Sequence, residues 1–156
     1  MKIYKAIRQD HDIQRELCKK ILETSGESEE RKQLWDDLKK ELEVHAVAEE
    51  RYFYIPLIDT DEMQEDARHG IAEHHEIDEL IKEVDEADMT SAAWLAAAKK
   101  LAHQVNHHLD DEEDDYFDKA RDIYSKKDAK KLADGYEKTM KEYRKGWPES
   151  LPKNQS

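Results

Sequence analysis

A chain of 156 residues suits one domain, long enough to bury about two thirds of the surface its unfolded form exposes. Only 37% of it is hydrophobic and 42% is charged, with four glycines and three prolines, which excludes a sheet protein and describes long amphipathic helices. A formal charge of −13 argues against nucleic acid or an anionic membrane as a partner.

Ile3, Ile7, Gln14, Leu17, Cys18 and Ile21 recur at three- and four-residue spacing and predict a first helix ending near Thr24. SGES makes a turn, with Ser28 as N-cap of a second helix carrying Leu34, Leu38 and Leu42 until Pro56 bends or ends it. DTDE, from Asp59 to Glu62, opens a third helix through Ile71, Ile77, Leu80, Ile81 and Val84. Thr90 or Ser91 caps a fourth, with Leu95, Ala98, Leu101 and Val105. SKKD breaks the chain at 125–128, and a shorter fifth helix through Leu132, Tyr136, Met140 and Tyr143 stops near Gly146 and Pro148.

Short connections favour antiparallel neighbours. The expected fold is all-α: an up-down-up-down four-helix bundle over residues 1–125 with an additional short C-terminal helix. That helix, 126–147, packs on the bundle or at an interface, and 148–156 is a disordered tail. No apolar run approaches the roughly 18 residues of a membrane span, and MKIYKAIRQDHD does not read as a signal peptide. Cys18 is the sole cysteine, so no internal disulfide forms and a reduced, cytoplasmic setting is expected, as monomer or weak homodimer.

Eight histidines stand out, because four of them fall on apolar stripes. In HAVAEERYFYIP, His45 and Glu49 share the phase of Leu38 and Leu42; in HHLDDEEDDYF, His108 and Glu112 share that of Leu101 and Val105. Sliding the sequence against itself by 63 residues lays His11 on His74, His45 on His108, Glu49 on Glu112 and Glu50 on Glu113. One offset thus relates the first helix to the third and the second to the fourth, as a pseudo-twofold bundle of two similar helix pairs requires. The offset and the stripes choose the same members of adjacent pairs, His74 over His75 and His108 over His107.

A histidine and a glutamate at i and i+4 stand one above the other, so both can reach a common ion. Two such helices, with single histidines from the other two, bring His11, His45, His74 and His108 to one level with Glu49 and Glu112. Nitrogen and oxygen donors without thiolates suit iron or manganese, with zinc as a further option. Carboxylates bridge two metals while imidazoles cap the ends, so a pair of ions is expected. A lone core histidine is ordinarily just hydrogen-bonded, and a lone HxxxE ordinarily decorates a surface. Six residues in phase and related by one shift are different, because burying two carboxylates without a cation costs several kcal/mol each.

His69, His75, His103 and His107 lie off the stripes and are expected in solvent, with His75 as an alternative ligand. DDEEDD lacks the spacing of a calcium loop and, Glu112 apart, reads as a wet helix face. Cys18 reads as core packing. Tyr4, Tyr54 and Tyr116 read as aromatic core first and as donors beside the metals second.

RQDHDIQREL, HAVAEERYFYIPL, AEHHEIDELI and HHLDDEEDDYF resemble, in order and spacing, the four metal-binding stretches of the hemerythrin family in its bacterial HHE (cation-binding) branch. The resemblance implies a centre of two non-haem iron ions with a bridging oxo or hydroxo group and dioxygen-related chemistry. A ferritin-like site would need Glu-x-x-His pairs, and none of the histidines has a glutamate three residues before it. One departure matters: oxygen-carrying hemerythrins place two histidines one turn apart on the third helix, whereas here Asp78 follows His74 by a turn and Gly70 precedes it. Two six-coordinate irons offer about twelve positions; four imidazoles, two bridging carboxylates and a solvent bridge leave about two. His75, Asp78 or a tyrosine could fill the extra one.

The expected function is binding of dioxygen, peroxide or nitric oxide as a small ligand, for oxygen binding, sensing or detoxification. The alternatives are a di-iron enzyme consuming peroxide or nitric oxide, with weak peroxidase- or catalase-like activity, and an iron storage or sensing bundle acting through a partner. No catalytic residue is assigned.

Overall fold

The computed structural model describes residues 1–147; the tail expected over 148–156 lies outside them. Among the described residues, five helical rods make up most of the chain. They are α1 (Ile3–Leu22), α2 (Glu29–Glu49) continuing into α3 (Ile55–Ile58), α4 (Gln64–Glu86), α5 (Ala92–Asp111) continuing into α6 (Phe117–Arg121), and α7 (Lys126–Gly146). Local chemistry sets their starts. Ser28 and Ser91 accept the Arg31 and Trp94 amides at 3.1 and 3.2 Å, and Ser125 forms a capping box with Asp128, each satisfying a first-turn N–H that the helix leaves unpaired.

Two rods contain a π turn, Glu50–Tyr54 between α2 and α3 and Glu112–Tyr116 between α5 and α6. The Ile55 amide bonds to the Glu50 carbonyl and the Phe117 amide to that of Glu112, five residues back. Pro56 therefore ends its rod only after this wider turn. The stretch expected to open the third helix is instead a tight turn: Thr60 bonds through its amide and hydroxyl to the Leu57 carbonyl, and α4 begins at Gln64.

In the up-down-up-down bundle α1 packs on α2 and α5, and α4 packs on α5 and α2. The α7 helix lies across α1 and α2, with Ala129, Ala133, Tyr136, Met140 and Tyr143 all buried; that stripe is covered by its own bundle. The apolar core is in two parts. One gathers Ile3, Ile7, Val44, Phe53, Phe117 and the α7 residues; the other gathers Cys18, Leu38, Ile77, Trp94, Leu101 and Val105. A polar layer separates them.

Candidate metal centre

That layer is built from one or two side chains per bundle helix. His11 on α1, His45 and Glu49 on α2, His74 on α4, His108 at the end of α5 and Glu112 at the start of the second π turn are all buried, the most exposed being His74 at 4%. Each replaces an apolar residue in its helix's inward stripe, so the fold that buries Leu42 and Val105 buries these too.

The donors converge in two halves. The Glu49 Oε2 atom lies 3.4 Å from His45 Nε2 and 3.8 Å from His11 Nε2; its Oε1 lies 2.9 Å from His74 Nε2 and 3.9 Å from His108 Nε2. Glu112 spans the same divide, with Oε1 2.9 Å from His11 Nε2 and Oε2 3.5 Å from His108 Nε2. Each carboxylate offers one oxygen to each half, and each half has two imidazole nitrogens. All four Nε2 atoms, both oxygens of Glu49 and Oε1 of Glu112 are buried without a hydrogen-bond partner. Even the 2.9 Å contacts are not hydrogen bonds, because the donor directions miss the facing oxygens. Seven polar atoms aimed at common points rather than at one another fit cations of the borderline, nitrogen-and-oxygen class.

The outer face of each imidazole is anchored. Nδ1 of His11 meets Glu113 at 2.7 Å, that of His74 meets Glu50 at 2.7 Å, and that of His108 meets Glu73 at 2.8 Å. His45 Nδ1 instead meets the Tyr136 hydroxyl at 2.7 Å. That hydroxyl donates its single proton to Asp10 Oδ2 at 2.6 Å, so His45 must donate to it. Asp10 is in turn held by Arg144, which also grips Glu41. Anchors of this kind leave every Nε2 lone pair facing the centre.

The two halves differ where the repeat breaks. Tyr54, on the first π turn, donates to Glu112 Oε2; the residue 63 places on is Phe117, which stacks near His11 without a hydroxyl to offer. Gly70 makes room for Tyr54, since a Cβ there would stand 2.3 Å from the ring. The second break is Gln14, whose counterpart is Ile77. Both border a cavity of about 10 Å³ shared with Leu42, His45, His74 and Asp78, room for one water-sized molecule. The Gln14 amide nitrogen is buried and unpartnered beside it.

Charge is balanced by protons when no cation is bound. Burial works against protonated imidazole, yet Glu49 and Glu50 raise His74 to about 10, Glu49 and Glu73 raise His108 to about 9, and Glu112, Glu113 and Glu49 hold His11 well above its usual range. Against the upward push of burial, His45 holds Glu49 well below the usual carboxylate range, while burial and the charge of Glu49 raise Glu112.

All six side chains expected from the sequence meet in this layer. His69, His75, His103 and His107 are exposed, and His75 lines an outer groove with Lys39 and Asp85 rather than the centre. One expectation is corrected. Glu113 is not part of a wet face: its side chain is 14% exposed and holds His11, because the π turn at Glu112 swings it toward α1. Glu50, Glu73, Glu113, Asp10 and Tyr136 were not anticipated as anchors. The 63-residue shift carried a signal for four of them, since it lays Glu50 on Glu113 and Asp10 on Glu73.

Known proteins bear on this arrangement in three ways. The model of the hemerythrin HHE cation-binding domain matches residues 2–120. A crystal structure of a hemerythrin HHE cation-binding domain-containing protein from Mycobacterium kansasii is similar in fold, with a TM-score of 0.83 at 21% identity over 93% of this chain and 88% of that one. No curated protein matches the sequence significantly.

Proposed function

The chain belongs to the hemerythrin HHE cation-binding domain family, and from that premise we propose that it holds two non-haem iron ions and binds dioxygen or a related small oxidant. The observation that carries this reading is the set of four Nε2 and three carboxylate oxygen atoms buried without partners and split into two halves. His11 and His45 would hold one ion and His74 and His108 the other, with Glu49 and Glu112 as the carboxylates that would be shared between them. Bound iron supplies affinity for oxygen ligands and one-electron redox chemistry; manganese or zinc would suit the same donors.

The chain's own residues do the rest. Glu113, Glu50, Glu73 and Tyr136 keep the Nδ1 protons and so orient the imidazoles. Leu42 and Ile77 line the small cavity, which reaches the exposed Asp78, and Gln14 presents its amide there as a donor to a small ligand. Elemental analysis of iron-replete protein is expected to find about two irons per chain, with strong near-ultraviolet absorption. Iron-replete protein without bound metal would overturn the reading.

The polar Gln14 amide also favours a second reading, turnover of peroxide, which accepts hydrogen bonds better than dioxygen does. Steady-state peroxide consumption that disappears in Glu112→Ala supports it. Stable, reversible oxygenation without turnover excludes it.

A further inference from the structure

Outside the core donors, the same spacing recurs at His75-x-x-x-Glu79, which lines the outer groove, and in two further pairs that lie near each other. His69-x-x-x-Glu73 lies on α4 and His107-x-x-x-Asp111 on α5, two helices packed against each other. His107 Nε2 lies 3.2 Å from Asp111 Oδ2, and His69 Nε2 lies 3.6 Å from Glu73 Oε2. Donor atoms of Glu73, His107 and Asp111 all stand within 4.8 Å of one another. Ligands about 2.0–2.2 Å from a tetrahedral zinc ion stand roughly 3.3–3.6 Å apart. The side chains of His107 and Asp111 are 57% and 42% exposed, so changes of rotamer at both can draw the donors in to that spacing.

Exposed histidine–acid pairs at i,i+4 are ordinary on charged helices and by themselves mean little. Here the His107–Asp111 pair of one helix converges with Glu73 of another, with His69 beside Glu73 but outside that cluster, and Glu73 is not an ordinary surface group. Glu73 is only 3% exposed, and its Oε1 is fixed by the His108 Nδ1 proton at 2.8 Å, leaving Oε2 on the His69 side. We propose that His69, Glu73, His107 and Asp111 form an outer site for a borderline divalent cation such as zinc or ferrous iron, joined to the core through Glu73 and His108.

The chemistry is consistent throughout. Two imidazoles and two carboxylates suit that class of cation, and the absence of thiolate disfavours soft ions. A net charge of −13 raises the local cation concentration at such a surface. An ion on Glu73 Oε2 draws charge from the carboxylate whose other oxygen holds His108, so outer occupancy is felt at the core through a single side chain.

The test titrates iron-loaded protein with zinc chloride by equilibrium dialysis, with zinc and iron both measured in the retained protein. Wild type is expected to take up one zinc beyond its iron. The double variant His69→Ala/His107→Ala, altered only at exposed positions outside the core donors, is expected to lose that zinc while keeping its iron content and helical circular dichroism. No zinc uptake by wild type, or equal uptake by the double variant, overturns the proposal. Should the protein hold no iron, the core reading fails on its own account. Wild type binding one more zinc than the double variant would still uphold the outer site.

Discussion

At position 10 the first helix carries an aspartate where the internal repeat puts Glu73, one methylene longer. Glu73 reaches His108 directly; Asp10 reaches His45 only through the Tyr136 hydroxyl. Tyr136→Phe would leave the His45 Nδ1 proton and an Asp10 oxygen buried and unpaired, a loss of about 1–3 kcal/mol in stability. Iron affinity should fall about 10–100-fold, read by competition with a chelator. Adding Asp10→Glu, which supplies the missing methylene, is expected to recover part of that affinity. Gly70 is a second informative residue. Its substitution by alanine would drive a methyl into the Tyr54 ring, which is fully buried and tied to Glu112 and so cannot swing away. Thermal unfolding of Gly70→Ala should show about 1–3 kcal/mol of destabilisation.

The π turns explain why one stretch of helix can both ligate and support. Glu49 faces the centre, while the next residue, Glu50, reaches the back of His74. With an i→i+5 bond in place, Phe53 and Tyr54 both turn inward and are fully buried. Deleting Arg51 would remove the extra residue of the wide turn, so that Glu50 could not reach His74 while Phe53 and Tyr54 keep their places in the core. The deletion variant should therefore melt well below wild type and lose its iron, as seen by circular dichroism and elemental analysis.

For the molecule as a whole, protons and cations compete for the same buried charge. In metal-free protein, His74 is raised to about 10 and His108 to about 9, from a usual 6.5. Groups raised by folding contribute stability that is complete below about pH 6.5 and is lost as pH climbs through 9 to 10. Glu49, depressed from its usual 4.5, contributes stability that is present above that value and is lost as pH falls below it. The melting temperature of metal-free protein should accordingly fall from pH 7 to pH 10. Iron-loaded protein, whose imidazoles carry no extra proton, should change little over the same window. Iron binding at pH 7 should release protons, measurable as a buffer-dependent heat.

The inward placement of six polar side chains was legible in the sequence because helical phase is a local property: a histidine on the stripe of Leu38 and Leu42 has to face where they face. The bundle and its helix pairing were legible for the same reason, aided by the 63-residue repeat. What lies behind each imidazole was decided by packing between distant segments. His11 and Glu113 are 102 residues apart, and His45 and Tyr136 are 91 apart. The repeat hinted at the carboxylate anchors, but Tyr136 has no counterpart in it. Only the docking of α7 across α1 and α2 brings that hydroxyl to His45, because a contact between helices depends on how they cross, which periodicity within one helix does not encode.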